Sequence, residues 1–130
     1  MKVRLDWTRA IAVVVLGLVI TLAPGAIRAW ATPPNVSIPE RTRVCMMQDT
    51  VMAVPAVPLT HNGKSYFGCC EMCKAKIAAE PERYTLARDP VSGAVVDKAT
   101  AALLSVDGRV LYFESEATRA RYTERLGARP

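Results

Sequence analysis

The sequence has one histidine, two phenylalanines, two tryptophans and no glycine-rich phosphate loop. A single histidine cannot build the two-histidine helix of a metalloprotease, and no serine or cysteine stands in a recognisable nucleophile-and-base motif. At 130 residues the chain is also too short for the doubly wound sheets that carry dinucleotides. These absences argue against a cofactor-rich metabolic enzyme, and no enzymatic activity is expected. The hydrophobic fraction of 51% excludes a disordered tail and leaves one small domain or two very small ones.

A strong charge imbalance is missing too, once the N-terminus is set apart. Lys2, Arg4 and Arg9 precede an uncharged run from Ala10 to Ala23 that ends at Pro24-Gly25. This is the layout of a secretory signal, with Ala29-Trp30-Ala31 as a small-x-small cleavage site. As a helix the run spans about 21 Å, short of the roughly 30 Å of bilayer hydrocarbon unless Ala26 and Ile27 are added across the proline. Residues 1–31 therefore read as a signal peptide or a signal anchor, touching the membrane through residues 10–27 if uncleaved. Both readings place the rest in the periplasm or otherwise outside the cytoplasm. Without residues 1–31 the chain loses Lys2, Arg4, Arg9, Arg28 and Asp6, leaving 13 basic and 11 acidic side chains in 99 residues. A near-neutral domain offers no basic stripe for nucleic acid. Residues 32–40, with Pro33, Pro34 and Pro39, read as an extended linker.

What is present is a repeat. His61 to Phe67 aligns without gaps on Val106 to Tyr112 at an offset of 45, and each copy carries Asn-Gly or Asp-Gly, the favoured two-residue hairpin turns. The pattern predicts a strand over 54–60, a turn at 62–63, a strand over 64–68 and a helix reaching 79, where Pro81 stops it. The second copy predicts strands over 101–106 and 109–113 and a helix from the Ser115 cap to Leu126, with Gly127 beyond its end. The fold class expected is α+β: two tandem hairpin-plus-helix units, 41–87 and 88–130. The predicted core comprises Val57, Leu59, Tyr66, Phe67, Ile77, Leu103, Val110, Tyr112, Phe113, Tyr122 and Leu126.

At the same offset Cys69, Cys70 and Cys73 become Glu114, Ser115 and Thr118, so only the first copy keeps thiols. Cys69 and Cys73 are one turn apart where a strand becomes a helix, and a helix N-terminus favours thiolate. Folding the hairpin back brings Cys45 toward them, and three or four sulfurs can then enclose one thiophilic ion, Zn(II) or Cu(I). Met46, Met47, Met52 and Met72 lie near the cysteines in the chain; thioethers suit Cu(I), or else the methionines fill gaps in the core. The candidate ligands are Cys45, Cys69, Cys70, Cys73 and Met72, with His61 more simply a solvated hairpin residue. Two other readings remain open for the thiols. In an exported domain they can form disulfides, of which Cys45–Cys69 with Cys70–Cys73 is the comfortable pairing, or Cys70 and Cys73 can do redox chemistry.

Gly63-Lys64-Ser65-Tyr66-Phe67-Gly68-Cys69-Cys70-Glu71-Met72-Cys73 resembles the core of TRASH domains, and Asp89-Pro90-Val91-Ser92-Gly93 resembles the opening of the related YHS domains. The resemblance runs from about Val44 to Leu126. It implies a small treble-clef-like metal-binding fold used in heavy-metal trafficking, resistance and sensing, with Cys45, Cys69 and Cys73 at the family's cysteine positions and Cys70 an additional thiol. The interval from Cys45 to Cys69 is slightly longer than the TRASH pattern, and Ser92 stands where YHS domains generally have cysteine, which implies a metal-free second unit. The expected partners are the ion and a transporter or metalloenzyme that receives it. The rival expectation is a disulfide- or zinc-stabilised interaction module of the cell envelope.

Overall fold

The computed structural model describes residues 32–128, so the expected export signal lies outside the described residues. Among the described residues no helix is long and apolar enough to cross a membrane. The fold is a mixture of helix and strand, α+β in class. Its elements are β1 (Val36–Ser37), a 3-10 turn (Arg41–Arg43), β2 (Val44–Cys45), β3 (Thr50–Val51), β4 (Val57–His61), β5 (Lys64–Gly68), α1 (Met72–Ala79), α2 (Pro81–Thr85), β6 (Leu86–Arg88), β7 (Val95–Asp97), β8 (Ala102–Val106), β9 (Arg109–Phe113) and α3 (Glu116–Gly127).

Both predicted hairpins form. In β4–β5, Val57 pairs with Gly68 and His61 with Lys64; in β8–β9, Ala102 pairs with Phe113 and Val106 with Arg109. Both turn residues of each hairpin take positive φ: Asn62 +49° and Gly63 +71°, Asp107 +52° and Gly108 +84°. That backbone twist matches the twist of the flanking strands, which is why Asn-Gly and Asp-Gly are placed there. Each hairpin is followed by a helix. Pro81 ends the reach of α1 and occupies the first turn of α2, where its missing N–H costs nothing. Ser115 caps α3, its Oγ accepting from Thr118 N at 3.2 Å. Gly127 is the last residue of α3 rather than a cap beyond it.

The short strands join the two halves. The largest sheet runs β1-β8-β9-β3-β2, so β2 and β3 of the first half continue the second hairpin. Thr50 pairs with Arg109, Val110 N donates to Asp49 O at 2.7 Å and Val51 N donates to Gly108 O at 3.0 Å. Val36 and Ser37, within the expected linker, add an antiparallel edge strand against Val106 and Ser105. One apolar cluster spans both halves, including Val44, Cys45, Met46, Leu59, Tyr66 and Ile77 from the first and Val96, Leu103, Val110 and Tyr112 from the second. Sharing a core resolves the difficulty that about 40 residues alone bury too little to fold without a staple. Of the predicted core, Val57, Phe67, Tyr122 and Leu126 are only half-buried.

Candidate metal centre

Cys45 ends β2 and begins a tight turn in which Gln48 N donates to Cys45 O at 3.2 Å and Asp49 takes φ +52°. Met46 N donates to Phe67 O at 2.8 Å, which fastens this turn to the end of β5. There the chain passes through Gly68, Cys69 and Cys70 into α1, and Cys73 N donates to Cys70 O at 3.0 Å to start the helix. Gly68 is required by space. A Cβ at this position would stand 2.5 Å from Cys73 Cβ, 2.9 Å from its Sγ and 3.0 Å from Leu59 Cδ1. Without a side chain, β5 can press directly on Cys73.

The result is a triangle of sulfurs. The Sγ atoms of Cys45, Cys69 and Cys73 all lie within 4.8 Å of one another, with Cys69 to Cys73 at 3.6 Å. Metal–sulfur bonds of about 2.3 Å require sulfur spacings of about 3.8 Å in a tetrahedral site and about 4.0 Å in a trigonal one. One spacing is 3.6 Å and none exceeds 4.8 Å, so the three cysteines could hold one metal ion. Among the described residues no histidine or carboxylate joins the group. His61 is half-buried at the end of β4, lining a separate hollow with Lys64, Tyr66 and Asp97.

The remaining predicted ligands are placed differently. Cys70 approaches Cys69, Sγ to Sγ 3.8 Å, but is not one of the three mutually close sulfurs. Met72 is 70% exposed. Met46 is fully buried, and Met47 and Met52 pack against the core, so these three fill space. All four cysteines are free thiols.

At Cys69 the neighbouring sulfurs act against the thiolate-favouring field of a helix N-terminus. Hydrogen bonding with the thiols of Cys73, Cys70 and Cys45 pushes the Cys69 thiol up to about 12. Neighbouring sulfurs share protons better than they share negative charge, and only a cation reverses that preference.

Comparison with protein-family models, curated proteins and solved structures finds no match to this chain.

Two groups that the sequence reading did not single out complete the surroundings. Lys98 is only 4% exposed. Its Nζ donates to Met46 O at 2.8 Å and to Asp49 Oδ1 at 2.5 Å, and lies 4.9 Å from the centre of the Tyr112 ring. A cation from the second half thus grips both ends of the turn that presents Cys45. Among the described residues the buried Tyr112 hydroxyl has no hydrogen-bond partner; burial and the nearby Asp49 carboxylate push its pKa up.

The second group is Asp89, 1% exposed, which follows β6 in the connection to β7. Its Oδ1 accepts from Val91 N at 2.7 Å and Ser92 N at 3.2 Å, and its Oδ2 accepts from Glu114 N at 2.9 Å. Burial pushes this carboxyl up, but hydrogen bonds from Glu114, Thr118, Val91 and Ser92 outweigh it and hold the pKa below its ordinary value. Where the first half converges three thiols, the second ties loop to helix start with one carboxylate.

Proposed function

We propose that this is an exported heavy-metal-binding protein in which Cys45, Cys69 and Cys73 hold one thiophilic ion as thiolates. The convergence of three sulfurs from a turn and a helix start carries this reading. A loop cysteine facing a hairpin-then-helix cysteine pair also suits the treble-clef-like TRASH arrangement that the sequence resembles, with the 88–130 unit as its metal-free YHS-like companion. An all-sulfur, three-member donor set favours Cu(I), which accepts three-coordination, over Zn(II), which needs a fourth ligand. The protein is then a copper chaperone, buffer or sensor of the periplasm, released or anchored by residues 1–31, and it passes its ion to a transporter or metalloenzyme.

One observation favours a second reading, a closed structural clip in an envelope interaction module. In the second half Asp89 ties a loop to the segment that leads into α3 by hydrogen bonds alone, so the thiols of the first half could serve a similar end through Zn(II). Chelation separates the two. A trafficking site surrenders its ion to a thiol competitor while circular dichroism and the melting transition persist, because the shared core remains; a structural clip unfolds as the ion leaves. Cys45→Ser, Cys69→Ser and Cys73→Ser should each abolish stoichiometric loading.

A further inference from the structure

The site has a closed side and an open side. Cys45 is fully buried and Cys73 is 2% exposed, whereas Cys69 and Cys70 both face solvent. Of the three sulfurs of the triangle, two are therefore held inside and Cys69 is the one that meets solvent. Cys70 stands at that opening, 3.8 Å from Cys69 in sulfur-to-sulfur distance, and its backbone is fixed by the Cys70 O–Cys73 N hydrogen bond. Its thiol is not one of the three mutually close sulfurs. Met72, two residues on, is also exposed.

We infer that Cys70 is a relay ligand, through which the ion leaves the Cys45–Cys69–Cys73 site for an acceptor that presents paired thiols. The inference rests on the metal-holding reading. The bond from the ion to Cys70 Sγ forms as the bond to Cys69 Sγ breaks, and the proton of Cys70 passes to the freed Cys69 sulfur. Three-coordination is kept while the ion moves outward. Thiols of the acceptor then replace Cys70, Cys73 and Cys45 in turn. Each new metal–sulfur bond releases a thiol proton, each broken one returns a proton to a cysteine, solvent supplies the difference, and no electron moves. A neighbouring thiol acts at an effective concentration far above that of any free competitor, which makes this exchange faster than direct attack on the buried ion.

The test uses Cu(I)-loaded and Zn(II)-loaded protein mixed anaerobically with excess dithiothreitol as the dithiol probe, with loaded and empty forms followed by native mass spectrometry. Cys70→Ser and Cys70→Ala are expected to bind one ion with wild-type affinity but to release it at least about tenfold more slowly, since they forfeit the neighbouring-thiol advantage. Wild-type release rates in both variants would overturn the inference, leaving Cys70 a bystander. Loss of loading in both, with the fold intact by circular dichroism, would overturn it as well by making Cys70 a resident ligand. A wild-type protein that takes up neither ion fails one step earlier and removes the metal-holding reading together with the relay.

Discussion

Gly68 lies directly under Cys73, and a methyl group there has no free space on the Cys73 or Leu59 side. Gly68→Ala must move β5 away from the start of α1. We expect it to lower stability by about 1–3 kcal/mol, the usual range for overpacking, and to weaken ion binding because Cys73 shifts relative to Cys45. Denaturant melts and a chelator competition measure the two effects separately; wild-type ion affinity would show that the triangle tolerates a moved helix. At the same scale, hydrogen bonding among the sulfurs pushes the Cys69 thiol up and so favours its protonated form in the empty protein. Loading must expel that proton, so apparent affinity should rise by at least about tenfold per pH unit between roughly pH 6 and 8. A competition titration across that range checks the slope, and a flat profile would place the ion elsewhere.

Among the elements, the hairpins were legible because their information is local. Asn62-Gly63 and Asp107-Gly108 dictate positive φ wherever the chain folds, and alternating residues around them set the register. The ends of α1 and α3 were largely legible for the same reason, through Pro81 and the Ser115 cap. Strands β1, β2, β3, β6 and β7, each of two or three residues, carry no period that a sequence could display; they exist because a distant partner supplies hydrogen bonds. The thiol triangle was legible as a set of candidates from spacing and compartment, yet which three of the four cysteine sulfurs lie mutually closest depends on side-chain directions at one helix start. The Asp89 knot is the element-scale counterpart of the triangle. Asp89→Asn would turn an amide toward backbone donors and should cost about 1–3 kcal/mol, the penalty of a buried group left unsatisfied, without loss of ion stoichiometry. Equal loss of loading would mean that the halves do not divide these tasks. Asp89 and Asp97 both titrate below the ordinary carboxyl value of 3.8 when folded. For Asp97, burial pushes the carboxyl up, but Lys64, the Ala99 amide and Tyr66 outweigh it. The stability they contribute is complete above that value and drains away as pH falls through the lower folded ones; acid melts of the wild type and of Asp89→Asn should differ in this window.

The molecule as a whole works as one core with a sulfur site at its margin. Lys98 is the tie that makes this concrete, for it reaches from the second half to Met46 O and Asp49 beside Cys45. Nothing in its sequence surroundings marks a lysine as buried, because its partners lie 52 and 49 residues away. Lys98→Met keeps the stem but strands Asp49 and the Met46 carbonyl. Breaking a buried pair costs about 3–5 kcal/mol, and the partial exposure of Asp49 reduces this to about 2–3. The same variant should hold its ion more weakly, and loading should restore part of the lost stability, since binding energy adds to folding energy. Thermal melts with and without the ion would show it; a variant whose melting temperature falls while ion affinity stays at the wild-type value would detach the second half from the site. The most direct test of the account is a metal and thiol count on protein isolated anaerobically from its own compartment. The account predicts one thiophilic ion per chain, with Cys70 alone alkylated before chelation, Cys69 joining it after chelation, and the buried Cys45 and Cys73 reacting only once the protein is also denatured. No bound ion, with Cys45 in a disulfide to Cys69, Cys70 or Cys73, would contradict it.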